Sequence, residues 1–171
     1  ARAREAGVDF FISKPIFQSV VQDVLLKATR RRQSADTLPV QKEDFAGRRI
    51  LLVEDNEINM EIARTLLEFR NASVDGACNG QQAVEMFRSS PQNHYDAVLM
   101  DVRMPVMDGI AATQAIRGLD RADAATVPIL AMTANAFAED IERSRKAGMN
   151  EHLAKPIEPE TLYARLASYF R

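Results

Sequence analysis

Residues 49–171 alternate between short apolar runs and longer segments with apolar residues at helical spacing, and this alternation restricts the fold more than any other feature. Five runs are predicted to be strands: residues 50–53, 73–77, 97–100, 129–132 and 151–154. Five segments are predicted to be helices: residues 57–69, 80–88, 110–117, 138–147 and 158–169. This order predicts an α/β fold, a doubly wound five-stranded parallel sheet with helices on both faces.

Composition excludes several functional classes. The chain has 171 residues, of which 46% are hydrophobic and 27% charged, as in a globular protein with a core. Its formal net charge of −2 argues against nucleic-acid binding, which usually requires a basic protein. A single cysteine, Cys78, rules out an internal disulfide and fits a reducing compartment. No apolar run is long enough to cross a membrane, so we expect a cytoplasmic chain without membrane contact. A membrane anchor of the parent protein would lie outside this chain.

An internal repeat sets the predicted domain boundaries. Residues 2–16 align without gaps on residues 143–157, with seven of fifteen positions identical. The second copy belongs to the last strand and helix of the alternating region. We therefore predict that residues 1–29 are the C-terminal remnant of a preceding domain of the same kind, that residues 30–47 are a linker, and that residues 48–171 form a complete domain. The chain is expected to be a fragment of a longer protein.

Polar residues follow the predicted strands at the edge of the sheet where ligands bind. In doubly wound sheets this edge is formed by the carboxyl ends of the strands. The residues at these ends are Glu54, Asp55, Asp101, Thr133 and Lys155. Taken singly, most of them also fit a plain structural role, because acidic residues and threonine after a strand are common helix caps. The combination is more specific than any one of them.

The combined residue types fit phosphoryl transfer to a carboxylate. Three carboxylates in one crevice repel each other, and a cation stabilises them there. Oxygen ligands suit a hard ion, so the expected cofactor is Mg²⁺. A carboxylate oxygen can attack phosphorus and form an acyl phosphate. The Lys155 ammonium and the Thr133 hydroxyl can bind oxygens of the transferred group.

Four segments carry a resemblance to a known family: residues 53–56, 99–109, 131–136 and 155–156. They resemble the receiver domain of two-component response regulators. The residues of these motifs are similar to those of receivers in hybrid sensor histidine kinases. With this resemblance, the internal repeat implies that the parent protein carries tandem receivers. The resemblance implies a flavodoxin-like receiver fold and a function in phosphorelay signal transduction.

The resemblance also implies a role for each residue of the site. Asp101 would be the phosphoacceptor, and Thr133 and Lys155 would contact the phosphoryl group. The Mg²⁺ ligands would be Glu54, Asp55, Asp101 and the backbone carbonyl of Arg103. The bond between Lys155 and Pro156 would be a cis peptide.

The switch positions depart from the usual pattern of the family. There, a threonine and an aromatic residue three positions before the lysine move together on phosphorylation. Thr133 is present, but the second position holds His152, which implies an altered or muted switch; a plain surface role for His152 stays open. Arg103 and Asn135 occupy positions that line the path of the hydrolytic water, which implies an influence on the lifetime of the phosphorylated state.

The resemblance implies partners as well. A histidine kinase phosphodonor domain would supply the phosphoryl group, and a histidine phosphotransfer protein would receive it. A homodimer through the N-terminal remnant or through the face of the last helix is a further expectation. The sequence contains no glycine-rich ATP-binding segment of a kinase.

Two other functions stay open. A pseudo-receiver would act as an interaction scaffold without phosphorylation, although the complete set of acids, threonine and lysine argues against it. A metal-dependent phosphohydrolase with an aspartyl-phosphate intermediate would need a second acid two residues after Asp101. That position holds Arg103, which argues against this enzyme class.

Overall fold

The computed structural model describes residues 43–134 and 138–170. From Glu43 onward the chain forms one compact unit. The predicted remnant at residues 1–29 and most of the predicted linker at residues 30–47 lie outside the described residues. The domain boundaries, and a homodimer through the remnant, therefore stay predictions.

Five strands and six helices alternate along the described residues. The strands are β1 (Arg49–Val53), β2 (Ser73–Ala77), β3 (Ala97–Asp101), β4 (Ile129–Thr133) and β5 (Glu151–Ala154). The helices are α1 (Glu57–Glu68), α2 (Gly80–Ser89), α3 (Gly109–Arg117), α4 (Ala122–Thr126), α5 (Ala138–Ala147) and α6 (Pro159–Tyr169). Each predicted element is present, and its limits lie within one residue of the predicted ones.

The strands form a single parallel sheet in the order β2-β1-β3-β4-β5. Its register places Asp101 beside Met132 and Thr133 beside Ala154, so the carboxyl ends of β3, β4 and β5 lie next to each other. The chain reverses its direction of winding between β1 and β3, and a crevice forms at such a point beyond the carboxyl ends. The predicted doubly wound parallel sheet is confirmed.

Apolar layers cover both faces of the sheet. One layer packs strand residues such as Leu51 against α2 and α3, including Phe87. The other packs strand residues such as Leu52 against α1 and α6, including Leu67 and Leu166. Because both faces are buried, the central strands are apolar except at their ends, where Arg49, Asp101 and Thr133 lie. Among the described residues, no helix has the length and hydropathy needed to cross a membrane.

The short helix α4 was not predicted, because its five residues are too few to show helical periodicity. It is held by the ion pair between Asp123, 5% exposed, and Arg121, whose Nη2 lies 2.7 Å from Oδ2 of Asp123. The guanidinium of Arg121 also donates to four carbonyl oxygens at the end of α2, those of Phe87, Arg88, Ser90 and Pro91. A local ion pair and long-range hydrogen bonds to the end of α2 together hold this part of the fold.

Phe45 lies in the stretch assigned to the linker, yet its side chain is only 2% exposed. Its ring packs edge-on against the rings of Tyr163 and Phe170. Its backbone N–H donates to the carbonyl oxygen of Arg70 at 2.7 Å. The last residues before β1 thus pack on the domain near the amino ends of the strands, away from the crevice.

Val106, in the loop between β3 and α3, has an unfavourable backbone conformation. Its φ is 69° and its side chain is 79% exposed. A left-handed conformation costs an L-residue roughly 1–2 kcal/mol, and asparagine tolerates it better than a β-branched residue does. We expect Val106→Asn to raise the free energy of unfolding by about 1 kcal/mol in urea denaturation. Val106→Ile, which keeps the branching, is the control, and equal midpoints for the two variants would contradict the prediction.

Candidate functional site

Three acidic side chains meet in the crevice at the carboxyl ends of β1 and β3. Glu54 and Asp55 directly follow β1, and Asp101 is the last residue of β3. One carboxylate oxygen from each residue lies within 4.8 Å of the other two. Glu54 and Asp101 are 3% and 6% exposed, whereas Asp55 is exposed to solvent. The structure therefore brings together the three acids on which the sequence argument depends.

Gly109 allows the loop after β3 to pass close to Asp101. A Cβ atom at this position would lie 2.1 Å from the carbonyl oxygen of Asp101, so a larger residue would displace the loop. The Gly109 amide donates to the carbonyl oxygen of Val102 at 3.1 Å. The Asp108 side chain caps α3 by accepting from the Ala111 amide at 2.7 Å. This tight turn holds Asp101 against the first turn of α3.

The three carboxylates form a donor set that fits Mg²⁺. This ion is usually bound by a few carboxylates together with water, and all the available ligand atoms are oxygens. Two of the three acids are buried, and like charges at this separation are unfavourable unless a cation lies between them. Glu54, Asp55 and Asp101 are therefore the side chains that would hold the ion.

Lys155 contributes positive charge to the same crevice. Its Nζ donates to Oδ2 of Asp101 at 2.6 Å and also to Oε2 of Glu54. Burial lowers the pKa of Lys155, but its hydrogen bonds to Asp101 and Glu54 outweigh that effect, and the pKa lies above its ordinary value. The ammonium is therefore charged at neutral pH and offsets part of the negative charge. The bond to Pro156 is cis.

Two asparagines at the start of α1 hold the other oxygen of Glu54. Asn59 Nδ2 donates to Oε1 of Glu54 at 3.1 Å, and the Asn56 backbone N–H approaches the same oxygen at 3.4 Å. Asn56 is also the N-cap of α1, and its Oδ1 accepts from the amides of Ile58 and Asn59. These contacts were not predicted from the sequence. The sequence pattern that could have indicated them is a helix-capping residue, Asn56, followed three positions later by a second polar residue, Asn59.

Thr133 and His152 lie on neighbouring strands beside the crevice. Thr133 is 6% exposed, and its carbonyl oxygen accepts from the Lys155 amide at 2.8 Å. His152 is half-buried, and burial lowers its pKa below the ordinary value. Its Nε2 has no hydrogen-bond partner among the residues that the structure describes. Both residues line a narrow cleft together with Val102, Asp140, Ile141 and Ser144. His152 is therefore half-buried beside the strand end that carries Thr133, and its role in a switch stays a prediction.

Arg103 contacts Asp101 through its backbone and α5 through its side chain. Its amide donates to Oδ1 of Asp101 at 3.1 Å. Its guanidinium is 71% exposed, with Nη2 lying 3.4 Å from Oδ2 of Asp140. Metal binding by its backbone carbonyl stays a prediction, and Asn135 lies outside the described residues. An arginine, not an acid, therefore stands two residues after Asp101.

The arrangement can support attack by a carboxylate on phosphorus. Asp101 offers an oxygen at the end of a rigid strand, and the neighbouring acids can bind a divalent cation. The charged Lys155 is already within hydrogen-bonding distance of Asp101, and Thr133 ends the adjacent strand. Such a site contains a nucleophile and groups that stabilise negative charge on the transferred group.

Comparisons with known proteins agree with this geometry. A family model described as "Response regulator receiver domain" matches residues 50–167. Signal transduction histidine-protein kinase BarA of Escherichia coli (strain K12) is 33% identical over 168 residues. The alignment covers 98% of this chain but 18% of BarA, so the chain spans less than a fifth of that relative.

Solved structures of similar domains share the fold. The receiver domain of sensor histidine kinase PA1611 from Pseudomonas aeruginosa PAO1, with a magnesium ion coordinated in its active site cleft, is 41% identical. The match covers 72% of this chain and 98% of that one, with a TM-score of 0.66. The receiver domain of Ssk1 from Saccharomyces cerevisiae, crystallised with the histidine phosphotransfer protein Ypd1, is 31% identical. That match covers 71% of this chain and 88% of the other, with a TM-score of 0.64.

Proposed function

The chain belongs to the response regulator receiver domain family, and we propose from this premise that it is a phosphorelay module in which Asp101 accepts a phosphoryl group from a kinase histidine. The observation that carries the proposal is the setting of Asp101. Its carboxylate is buried, lies within 4.8 Å of Glu54 and Asp55 and accepts a hydrogen bond from Lys155. This is the environment that an acyl-phosphate site with Mg²⁺ requires.

In the proposed reaction, an oxygen of the Asp101 carboxylate attacks the phosphorus of a phosphohistidine. The bond between phosphorus and the donor nitrogen breaks, and its electron pair stays on the imidazole. Glu54, Asp55 and Asp101 would hold Mg²⁺, which would supply positive charge to the phosphoryl oxygens. The Lys155 ammonium shifts from the free carboxylate to the transferred group, and the Thr133 hydroxyl donates to another of its oxygens. The product is an acyl phosphate on Asp101.

The surface of α1 supports a protein partner as the donor or acceptor. Ile58 and Ile62 are 65% and 48% exposed, and a spacing of four residues places them on one face of the helix. This face begins one turn after Glu54 and Asp55. We propose that a histidine-bearing domain, of a kinase or of a phosphotransfer protein, docks here. The Ssk1 receiver, which is bound to Ypd1, is the precedent for such a complex.

Phosphorylation by acetyl phosphate tests the proposal. Intact-mass analysis is expected to show one added phosphoryl group in the presence of Mg²⁺ and none after chelation with EDTA. Asp101→Asn should abolish the adduct, because an amide oxygen is a poor nucleophile and cannot form the acyl phosphate. Asp120→Asn, which changes an exposed aspartate, is the matched control and should be modified like the wild type.

The same assay separates the second candidate function. A folded chain that is modified neither by acetyl phosphate nor by a phosphorylated histidine domain would contradict the phosphorelay proposal. That result would favour the pseudo-receiver scaffold. An adduct that persists in Asp101→Asn would place the modification at another residue and would also contradict the mechanism.

A further inference from the structure

We propose that Asn59 is a positioning residue for the metal, which holds the Glu54 carboxylate in the orientation that Mg²⁺ binding requires. The inference rests on the proposed function and adds a residue to its site. The acidic residues themselves were expected to hold the ion. Asn59 carries no charge and does not line the crevice as a ligand, but it contacts one of the residues that do.

Glu54 needs such a partner because of its length. A glutamate has three side-chain torsions, and the carboxylate at the end can rotate unless its oxygens are held. In the structure, Oε2 accepts from Lys155, and Oε1 accepts from Asn59 at 3.1 Å. The second donor to Oε1, the amide of Asn56, is at 3.4 Å, which is long for a hydrogen bond. Asn59 therefore makes the better hydrogen bond to Oε1.

Asn59 is itself held by the end of a helix. It is the third residue of α1, and its backbone N–H donates to Oδ1 of the N-cap residue Asn56 at 3.1 Å. Its side-chain amide therefore projects from a backbone position that the cap has already ordered. The capping contact orients the helix, and the helix orients Asn59 toward Glu54. This connects the first turn of α1 to the metal site.

The chemistry of the amide suits this role better than a charged group would. The Nδ2 group donates a hydrogen bond without adding charge to a crevice that already contains three carboxylates and a lysine. An aspartate at this position would place a fourth carboxylate against Oε1 and repel it. A lysine would compete with the metal ion for the same oxygen. A neutral donor fixes the orientation and leaves the charge of Glu54 available to the ion.

Titration with Mg²⁺, followed by the NMR shifts of the Asp55 and Arg103 backbone amides, tests the inference. Partners of this kind typically change metal affinity by about tenfold or more, so Asn59→Ala is expected to raise the Kd for Mg²⁺ roughly tenfold. The thermal midpoint should stay the same or rise slightly, because alanine is a better helix former than asparagine. Gln81→Ala is the matched control, since it removes an exposed neutral amide from the first turn of α2.

A double-mutant cycle shows whether Asn59 acts through Glu54. In the Glu54→Ala background the same Asn59→Ala change should alter the Kd by less than about twofold, because the carboxylate that it orients is gone. An equal loss of affinity in both backgrounds would overturn the inference. A change in the thermal midpoint that accounts for the altered binding would also overturn it.

The outcomes separate this inference from the proposed function. If the wild type binds Mg²⁺ and Asn59→Ala binds it within about twofold of the same Kd, the positioning role is wrong and the phosphorelay proposal stands. If the wild-type amide shifts do not respond to Mg²⁺ at all, both are wrong. A raised Kd in Asn59→Ala, with Gln81→Ala unchanged, is the result that supports the inference.

Discussion

Lys155→Ala is expected to slow the phosphorylation of Asp101 by about 100-fold, the size of effect seen when one preorganised charge-stabilising group is removed from an active site. The ammonium lies 2.6 Å from Oδ2 of Asp101, close to the position where the transferred group would carry its charge. No other lysine is placed to replace it among the described residues, since Lys146 is exposed and paired with Glu142 on α5. The rate would be measured from the growth of the phosphoryl adduct with acetyl phosphate.

The same substitution is expected to tighten Mg²⁺ binding. The Lys155 ammonium donates hydrogen bonds to Oε2 of Glu54 and Oδ2 of Asp101. A metal ion must compete with this ammonium for the same carboxylate oxygens. Removing the lysine leaves the three carboxylates without an internal cation, so their affinity for a divalent ion rises. Slower phosphorylation together with tighter metal binding is a combination that general damage to the site would not produce.

Lys146→Ala, which removes an exposed lysine, is the control and should leave both quantities unchanged. If Lys155→Ala weakens Mg²⁺ binding as well as phosphorylation, Lys155 supports the shape of the crevice rather than the charge of the transferred group. An unchanged rate of phosphorylation would remove Lys155 from the proposed mechanism.

Arg121→Ala is expected to lower the free energy of unfolding by about 3 kcal/mol, which corresponds to a fall of roughly 10 °C in Tm. The guanidinium pairs with Asp123, whose side chain is 6% exposed, and donates to four carbonyl oxygens at the end of α2. Its loss leaves a buried carboxylate without its cation and several carbonyl groups without their donor. The loss of its contact over the ring of Phe87 adds to the effect.

Arg88→Ala provides the matched control for this stability measurement. Arg88 pairs with Glu85 one turn earlier in α2, but both side chains are more than half exposed, at 56% and 67%. Exposed pairs contribute little, so a change of less than about 0.5 kcal/mol is expected. Urea denaturation compares the two variants directly. Similar losses of unfolding free energy for both variants would contradict the prediction, because the buried contacts of Arg121 would then stabilise the fold no more than an exposed ion pair does.

The pattern of the sequence was sufficient for the architecture. The central strands β1, β3 and β4 are buried on both faces and the helices on one. The order of apolar residues in the sequence shows both patterns without any knowledge of the contacts. The parallel sheet and its receiver family were predicted from that pattern and from four short motifs, and both are confirmed. The tandem arrangement of the parent protein stays a prediction.

The position of the acidic residues also followed from the sequence. Glu54, Asp55 and Asp101 come directly at the carboxyl ends of their strands, which was predicted to be the ligand-binding edge of the sheet. The structure adds that these two strands, β1 and β3, are neighbours. The same argument placed Thr133 and Lys155 at the same edge. In a parallel sheet the carboxyl ends of all strands lie at the same edge. Residues that follow different strands can therefore be predicted from the sequence to lie at that edge.

The partners of these residues were decided only by the tertiary structure. Packing between separate segments of the chain decides the hydrogen bond from Asn59 to Glu54, the half-buried position of His152 and the burial of Phe45. The helix α4 lies where Arg121 binds Asp123 and the end of α2. Its five residues are too few for apolar periodicity to predict a helix. Periodicity indicates which face of an element is buried, whereas hydrogen bonds and ion pairs depend on side-chain distances of a few ångströms, which periodicity does not specify. Sequence therefore determined the sheet and the acids at its edge, and packing determined what holds those acids in place.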